Sequence, residues 1–199
     1  MTEPFELNFS IRPKRGLKTD AEKASEALRR HLKLHPSAPL PAQRAAAALG
    51  IRVVFPRQLP SLPTELVQHL VSEQGNQWSA AYLQMPSNID DLIINNGYQS
   101  EARQEANIFH ELGHKLCKHE PDEIRVVNGM PMREFCKEKE EQADAVGQAL
   151  HLPKDSLVKF IFSSESEEDL QERYRASKKL FSFRINISGA KAMKARATR

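Results

Sequence analysis

Apolar residues recur along this chain at two spacings. From Asp20, the stretch DAEKASEALRRHLKLH puts Ala24, Leu28, Leu32 and Leu34 on a loose stripe. That spacing predicts a helix, which Pro36, Pro39 and Pro41 break. PAQRAAAALG predicts a short alanine-rich helix with Pro41 in its first turn and Gly50 at its C-terminal end. IRVVF is rich in branched residues and predicts a strand stopped by Pro56. A loop and a short helix over 64–73 follow, and then QWSAAYLQM and DDLIINN predict two strands able to pair as a hairpin. From Ser100 to about Lys118 the spacing is helical, with Ser100 as N-cap and Glu101 in the first turn, where a carboxylate favours the helix dipole. EPDEIRVVNGMPMREF reads as a loop with little regular structure. Residues 137–150 predict a second strong helix, closed by Pro153. SEEDLQERY and KKLFSFRI predict one or two C-terminal helices, and AKAMKARATR a solvated, frayed tail.

The 199 residues suit one domain with a small appendage, enough chain to bury a real core. With 40% hydrophobic and 28% charged residues, the composition excludes wholesale disorder. The net charge of +3, from 29 basic and 26 acidic residues, is too balanced to point to direct nucleic-acid binding. MTEPFELNFSIRPKRG has no apolar signal region, and no apolar run approaches the ~18 residues of a membrane span, so a soluble, cytoplasmic protein with no membrane partner is expected. Cys117 and Cys136 make no disulfide framework and suit a reducing compartment.

The candidate chemistry lies in IFHELGHKL, residues 108–116. On a helix, positions i and i+4 share a face, so His110 and His114 can point two imidazoles at one ion. Glu111 projects about 100° further round the axis, where it can serve as a general base without being a ligand. The apolar stripe of Ala102, Ala106, Phe109, Gly113 and Leu116 should face the core, with the histidines at its edge. Gly113 is a poor helix former, and its expected use is close approach by another backbone or by a substrate. Taken alone, the pentapeptide also fits an ordinary amphipathic helix. A catalytic zinc needs a third protein ligand, and His₂Glu is one such set. In KEKEEQADAVGQALHLP, Ala143, Val146, Gly147 and Leu150 mark a buried helical face. Glu140 and Asp144 lie together at its edge, whereas Glu138 and Glu141 point to solvent. Glu140 is therefore the candidate third ligand. Asp144 is placed to accept a hydrogen bond from a ligand histidine, which would fix its tautomer.

HELGH followed by EEQADAVGQALHLP resembles the ImmA/IrrE family of bacterial zinc metallopeptidase domains. In that family an HExxH helix is joined by a second helix of the form E-x-x-A-[ND], an aromatic–alanine pair and L-L-M-P. Glu140, Ala143 and Asp144 match the first part, Val146 and Gly147 stand at the aromatic–alanine pair, and Leu150, His151, Leu152 and Pro153 at the end. LIINN and PAQRAAAALGIRVVF add support, so the likeness covers roughly residues 40–155. The resemblance implies an α+β, helix-rich zincin-like domain with a small β-sheet beside the HExxH helix. It implies Zn²⁺ held by His110, His114 and Glu140, with Glu111 as base. The corresponding organisation is an N-terminal helical segment over 1–38, a zinc metallopeptidase core over 39–160, and a C-terminal helical extension with a basic tail over 161–199. Family members are often encoded with helix-turn-helix repressors that they cleave or inactivate, and others act in toxin–antitoxin or phage contexts. No convincing helix-turn-helix is visible in this chain, so such a partner would be a separate protein.

Two functions compete on these residues: a zinc endopeptidase, and a non-catalytic zinc-containing regulator or toxin–antitoxin component that works by binding a protein. The strand near Trp78–Leu83 could line the cleft, although Trp78 and Tyr82 equally suit packing. Cys117, near the histidine face, could approach the metal but is expected to be a packed or half-exposed thiol, His119 to favour the helix dipole, and His151 to be structural.

Overall fold

The computed structural model describes residues 4–73, 77–86, 89–120, 124–127, 130–133 and 136–197, with backbone only for 124–127 and 130–133. Helix α1 (Leu17–His31) buries Ala24 and Leu28 as its stripe predicts, and α2 (Ala42–Ala48) follows between Pro41 and Gly50. Strand β1 (Ile51–Val54), helix α3 (Thr64–Leu70), and strands β2 (Ala80–Leu83) and β3 (Asp91–Asn95) come next. β2 and β3 pair antiparallel, the predicted hairpin, and β1 joins β3 in parallel, giving a three-stranded sheet of order β1-β3-β2. Helix α4 (Glu101–Leu116) carries the HELGH motif and packs on β2 and β3. It is tied to the sheet at two points. Asn107 Nδ2 donates to Ser79 O at 3.3 Å, and Lys115 Nζ donates to Asp91 Oδ2 at 2.6 Å and to the Tyr82 hydroxyl at 3.2 Å.

Between α4 and the next helix the expected loop is replaced by a second hairpin, β4 (Ile124–Val127) with β5 (Met130–Arg133). The signal was present: a branched Ile-Arg-Val-Val run followed in sequence by Asn-Gly, the dipeptide most typical of tight hairpins. Helix α5 (Lys137–His151) runs as predicted up to Pro153. In place of one or two C-terminal helices there are four among the described residues: α6 (Lys154–Ile161), α7 (Glu167–Tyr174), α8 (Lys178–Ile187) and α9 (Ala190–Ala197). Ser166 and Ser177 cap α7 and α8, their hydroxyls accepting from Asp169 N and Leu180 N at 3.1 Å each, and Gly189, at φ 76°, separates α8 from α9. The basic tail is thus helical through Ala197, with Ala190 buried and the residues after it exposed. Among the described residues no helix is long and apolar enough to cross a membrane.

Two apolar clusters result. The larger joins α1, α2, β1, β3, α4 and α5 through Ala24, Leu28, Ile93, Phe109, Leu112 and Val146, and Ile11 of the N-terminal segment belongs to it. The smaller holds α6 to α9 together around Leu157, Leu170, Phe181 and Ile185. α4 packs against α5 on one side and against α2 and the sheet on the other, so its buried arc is wider than the predicted stripe. Glu105, Ile108 and Leu112 join Phe109, Gly113 and Leu116, while Ala102 is half-buried and Ala106 is exposed. Ala106 lies one turn before His110, so the histidine side of α4 is its open side.

Arg29, at 0% exposure, locks α1 to the end of α5. Its guanidinium donates to Ala38 O, Ser25 Oγ and Leu150 O at 2.9, 2.7 and 2.8 Å, and Ser25 donates to Ala149 O at 2.7 Å. A cation there satisfies carbonyls that a helix C-terminus leaves open and complements its dipole. Burial lowers the Arg29 pKa to about 10, so the group stays charged at neutral pH.

His151 is equally buried. It stacks on Phe109 at 4.9 Å and donates from Nε2 to Tyr174 O at 2.8 Å. Burial lowers its pKa from 6.5 to about 4, so it folds as the neutral imidazole. Between those two values the unfolded chain holds a proton that the folded chain does not, and stability falls as pH falls from 6.5 to about 4. The shift corresponds to about 3 kcal/mol at the acid end. His151→Leu is expected to flatten this part of a plot of urea-unfolding free energy against pH. An unchanged slope would show that His151 does not cause the acid sensitivity.

Candidate metal centre

The site is made by the crossing of α4 and α5, and glycines set its distances. A Cβ on Gly113 would lie 2.3 Å from Ala143 O, and one on Gly147 would lie 2.6 Å from Phe109 O. The two backbones therefore touch at two successive points, closer than any side chain permits. The expected role of Gly113 as a contact for another backbone is what the structure shows. Gly147, at the family's aromatic–alanine pair, is the matching notch on the opposite helix.

At this spacing the edge of α5 meets the open side of α4. His110 Nε2 lies 3.1 Å from Glu140 Oε2, and His114 Nε2 lies 3.6 Å from Glu140 Oε1. The two Nε2 atoms are 3.1 Å apart. One ligand atom from each of the three residues falls within 4.8 Å of the others, a grouping able to hold a metal ion. His110, His114 and Glu140 have side chains 28%, 13% and 24% exposed, so the cluster is lined by protein yet reachable from solvent. Glu111 is half-buried on the same helix, next to His110. Glu138 and Glu141 are exposed, as their positions on the helix predict.

Asp144 Oδ1 lies 2.9 Å from His110 Nδ1. A carboxylate can only accept, so in the neutral ring Nδ1 carries the hydrogen and the Nε2 lone pair faces the cluster. Burial disfavours the charged form of His110. The hydrogen bond to Asp144 and the charges of Glu111, Asp144 and Glu140 outweigh it and raise the pKa above the ordinary histidine value. Two imidazole nitrogens and a carboxylate that converge in this way are electron-pair donors, and the set fits a divalent cation of the zinc type.

Other polar residues near the site have different places. Trp78 Nε1 donates to Leu70 O at 3.0 Å, which anchors it towards α3. The Tyr82 hydroxyl is occupied by Asp91 and Lys115. Cys117 is half-buried against the core, and burial pushes its thiol up to about 12, so it is a packed, protonated thiol outside the three-residue group. His119 differs most from expectation. Lys118 has φ 56°, which ends α4 and turns the chain back. His119 Nδ1 then comes within 2.9 Å of His114 Nδ1, with ring centroids 5.0 Å apart. Its Nε2 lies 3.1 Å from Gln142 Oε1 of α5. Sequence spacing hid this contact, because i+5 is not a helical neighbour and the turn at Lys118 makes it one.

A His-Glu-x-x-His helix, crossed by a second helix that supplies a carboxylate beside a small mixed sheet, defines a domain of the metallopeptidase type. The chain belongs to the IrrE N-terminal-like domain family, a peptidase family whose model matches residues 46–186, from within α2 to near the end of α8. No curated protein sequence and no solved structure gives a significant match.

Proposed function

We propose that the protein is a zinc-dependent endopeptidase with His110, His114 and Glu140 as metal ligands and Glu111 as general base. The observation that carries this reading is the convergence of those three donor atoms beside Glu111, in a chain of a metallopeptidase family. When bound, zinc supplies Lewis acidity, polarising a carbonyl and easing the ionisation of water. Glu111 takes the proton from the water that adds to the scissile carbonyl carbon, and delivers it to the amine released as the C–N bond breaks. Asp144 holds His110 in the tautomer that presents Nε2. β2 pairs with β3 on one side only among the described residues, so its outer edge can take an extended substrate segment by strand addition. The substrate we propose is a separate helix-turn-helix repressor or an antitoxin-like protein in the cytoplasm, the class that the ImmA/IrrE resemblance implies.

Candidate repressors from the same genome, incubated with the zinc-loaded protein with and without chelator, test this reading. Defined, chelator-sensitive fragments are expected. A stable complex without cleavage would favour a binding regulator instead. Asp144→Ala is expected to weaken zinc binding ~10–100-fold in chelator competition. Its side chain is 59% exposed, so the fold should survive. Unchanged affinity would remove Asp144 from the site.

A further inference from the structure

A run of hydrogen-bonding groups leads from the metal cluster to the N-terminal segment, and its far end fixes every proton in it. Ile11 O is a backbone carbonyl and can only accept. Gln142 Nε2 lies 3.2 Å from it, so the NH₂ of Gln142 faces Ile11 and the amide oxygen faces the other way. That oxygen lies 3.1 Å from His119 Nε2, which must therefore carry a hydrogen and donate. In a neutral His119 the remaining nitrogen, Nδ1, is an acceptor. It lies 2.9 Å from His114 Nδ1, so His114 donates from Nδ1. A neutral His114 then has its lone pair on Nε2, the atom that faces Glu140 and His110.

From this sequence of donors and acceptors we infer that His119 is the positioning residue for the His114 ligand, and that Gln142 and the backbone of Ile11 set its tautomer. The two ligand histidines are thus braced by different means. His110 leans on an exposed carboxylate, Asp144. His114 leans on a neutral relay whose inner members, Gln142 and Ile11, are buried. A neutral brace suits that place, because a carboxylate buried behind His114 would need its own counter-charge. The relay also gives the N-terminal segment a part in the site. Ile11 precedes the residues matched by the family, yet its carbonyl is where the proton order begins. Arg12 holds this stretch in place, its guanidinium donating to Asp20 of α1 at 2.7 and 2.8 Å.

The inference rests on His114 being a ligand in the proposed site, but its test does not depend on cleavage. Zinc affinity is measured by chelator competition on the full chain and on three variants. His119→Phe fills the space without an acceptor and is expected to lose ~10–100-fold in affinity. His119→Asn puts an acceptor near the Nδ1 position and should recover most of the loss. Gln142→Leu should fall between them. Urea unfolding of the same variants separates lost fold from lost affinity. In long-range ¹H–¹⁵N spectra of the zinc-loaded protein, His119 should be the neutral Nε2–H tautomer. Equal affinity in all four proteins, equal loss in the Phe and Asn variants, or a His119 protonated on Nδ1 would overturn the inference. An inactive protein whose affinities follow the expected order would overturn the peptidase reading and leave the brace standing.

Discussion

Glu111→Gln is expected to keep full zinc binding and to lower peptide-bond cleavage by ~10²–10⁴-fold. The substitution keeps the size and shape of the side chain and removes only its ability to take a proton. Glu111 is not one of the three converging donors, so the ligand set is untouched. Its charge reaches His110, where it helps raise the pKa. In the metal-free protein the Gln variant should therefore also shift the His110 pKa down, visible in the pH dependence of its ring resonances. Cleavage rates on a defined fragmentation product, with zinc content measured on the same sample, check the prediction. A fully active Gln variant would remove Glu111 from the mechanism. Loss of zinc together with activity would instead make Glu111 part of the metal shell.

Gly147→Ala is expected to destabilise the fold and weaken zinc binding together, and Gly113→Ala to do so more strongly. Two effects oppose each other at these positions. Alanine is the better helix former by about 1 kcal/mol, which favours the variants. Overpacking costs about 1–3 kcal/mol, and more where nothing can move aside. Here the obstacle is backbone, with Phe109 O at 2.6 Å and Ala143 O at 2.3 Å from the added carbon, so rotamer changes give no relief. The overpacking term should win, and relief comes only by moving α5 away from α4. Such a movement carries Glu140 away from His110 and His114, now 3.1 and 3.6 Å from its oxygens. Urea midpoints and chelator competition should fall in parallel across the two variants. A raised midpoint with unchanged zinc affinity would show that propensity dominates and that the helix spacing is not set by these glycines. At position 147 this prediction runs against the family pattern, in which alanine is usual.

Much of this architecture is legible in the sequence because it rests on local periodicity. The i, i+4 pair of histidines, the edge position of Glu140 and Asp144 and the buried face of α5 all follow from one helical wheel each. What the wheel does not give is how two helices meet. It placed Ala106 in the core, because it could not know that α2 and the sheet pull the buried arc of α4 towards Ile108 and Leu112. The place of His119 is not legible for a related reason: its contact with His114 depends on one left-handed residue, Lys118, which no propensity flags. Nothing in the sequence around Arg29 marks it for burial, since only the fold brings the open carbonyls of α5 to it. The second hairpin has a sequence signal, a branched Ile-Arg-Val-Val run ahead of an Asn-Gly dipeptide. The division of the C-terminus into four helices turns on the capping serines at 166 and 177 and on Gly189, left-handed at φ 76°, which a reading by apolar spacing alone does not weigh.

Zinc content per chain is the most direct test of the central claim. The protein, purified without chelator and dialysed against zinc, should hold one ion per chain by elemental analysis, and Glu140→Gln, still folded, should hold little or none. A wild-type protein without stoichiometric metal would contradict the account, as would a Glu140→Gln variant that binds zinc as the wild type does.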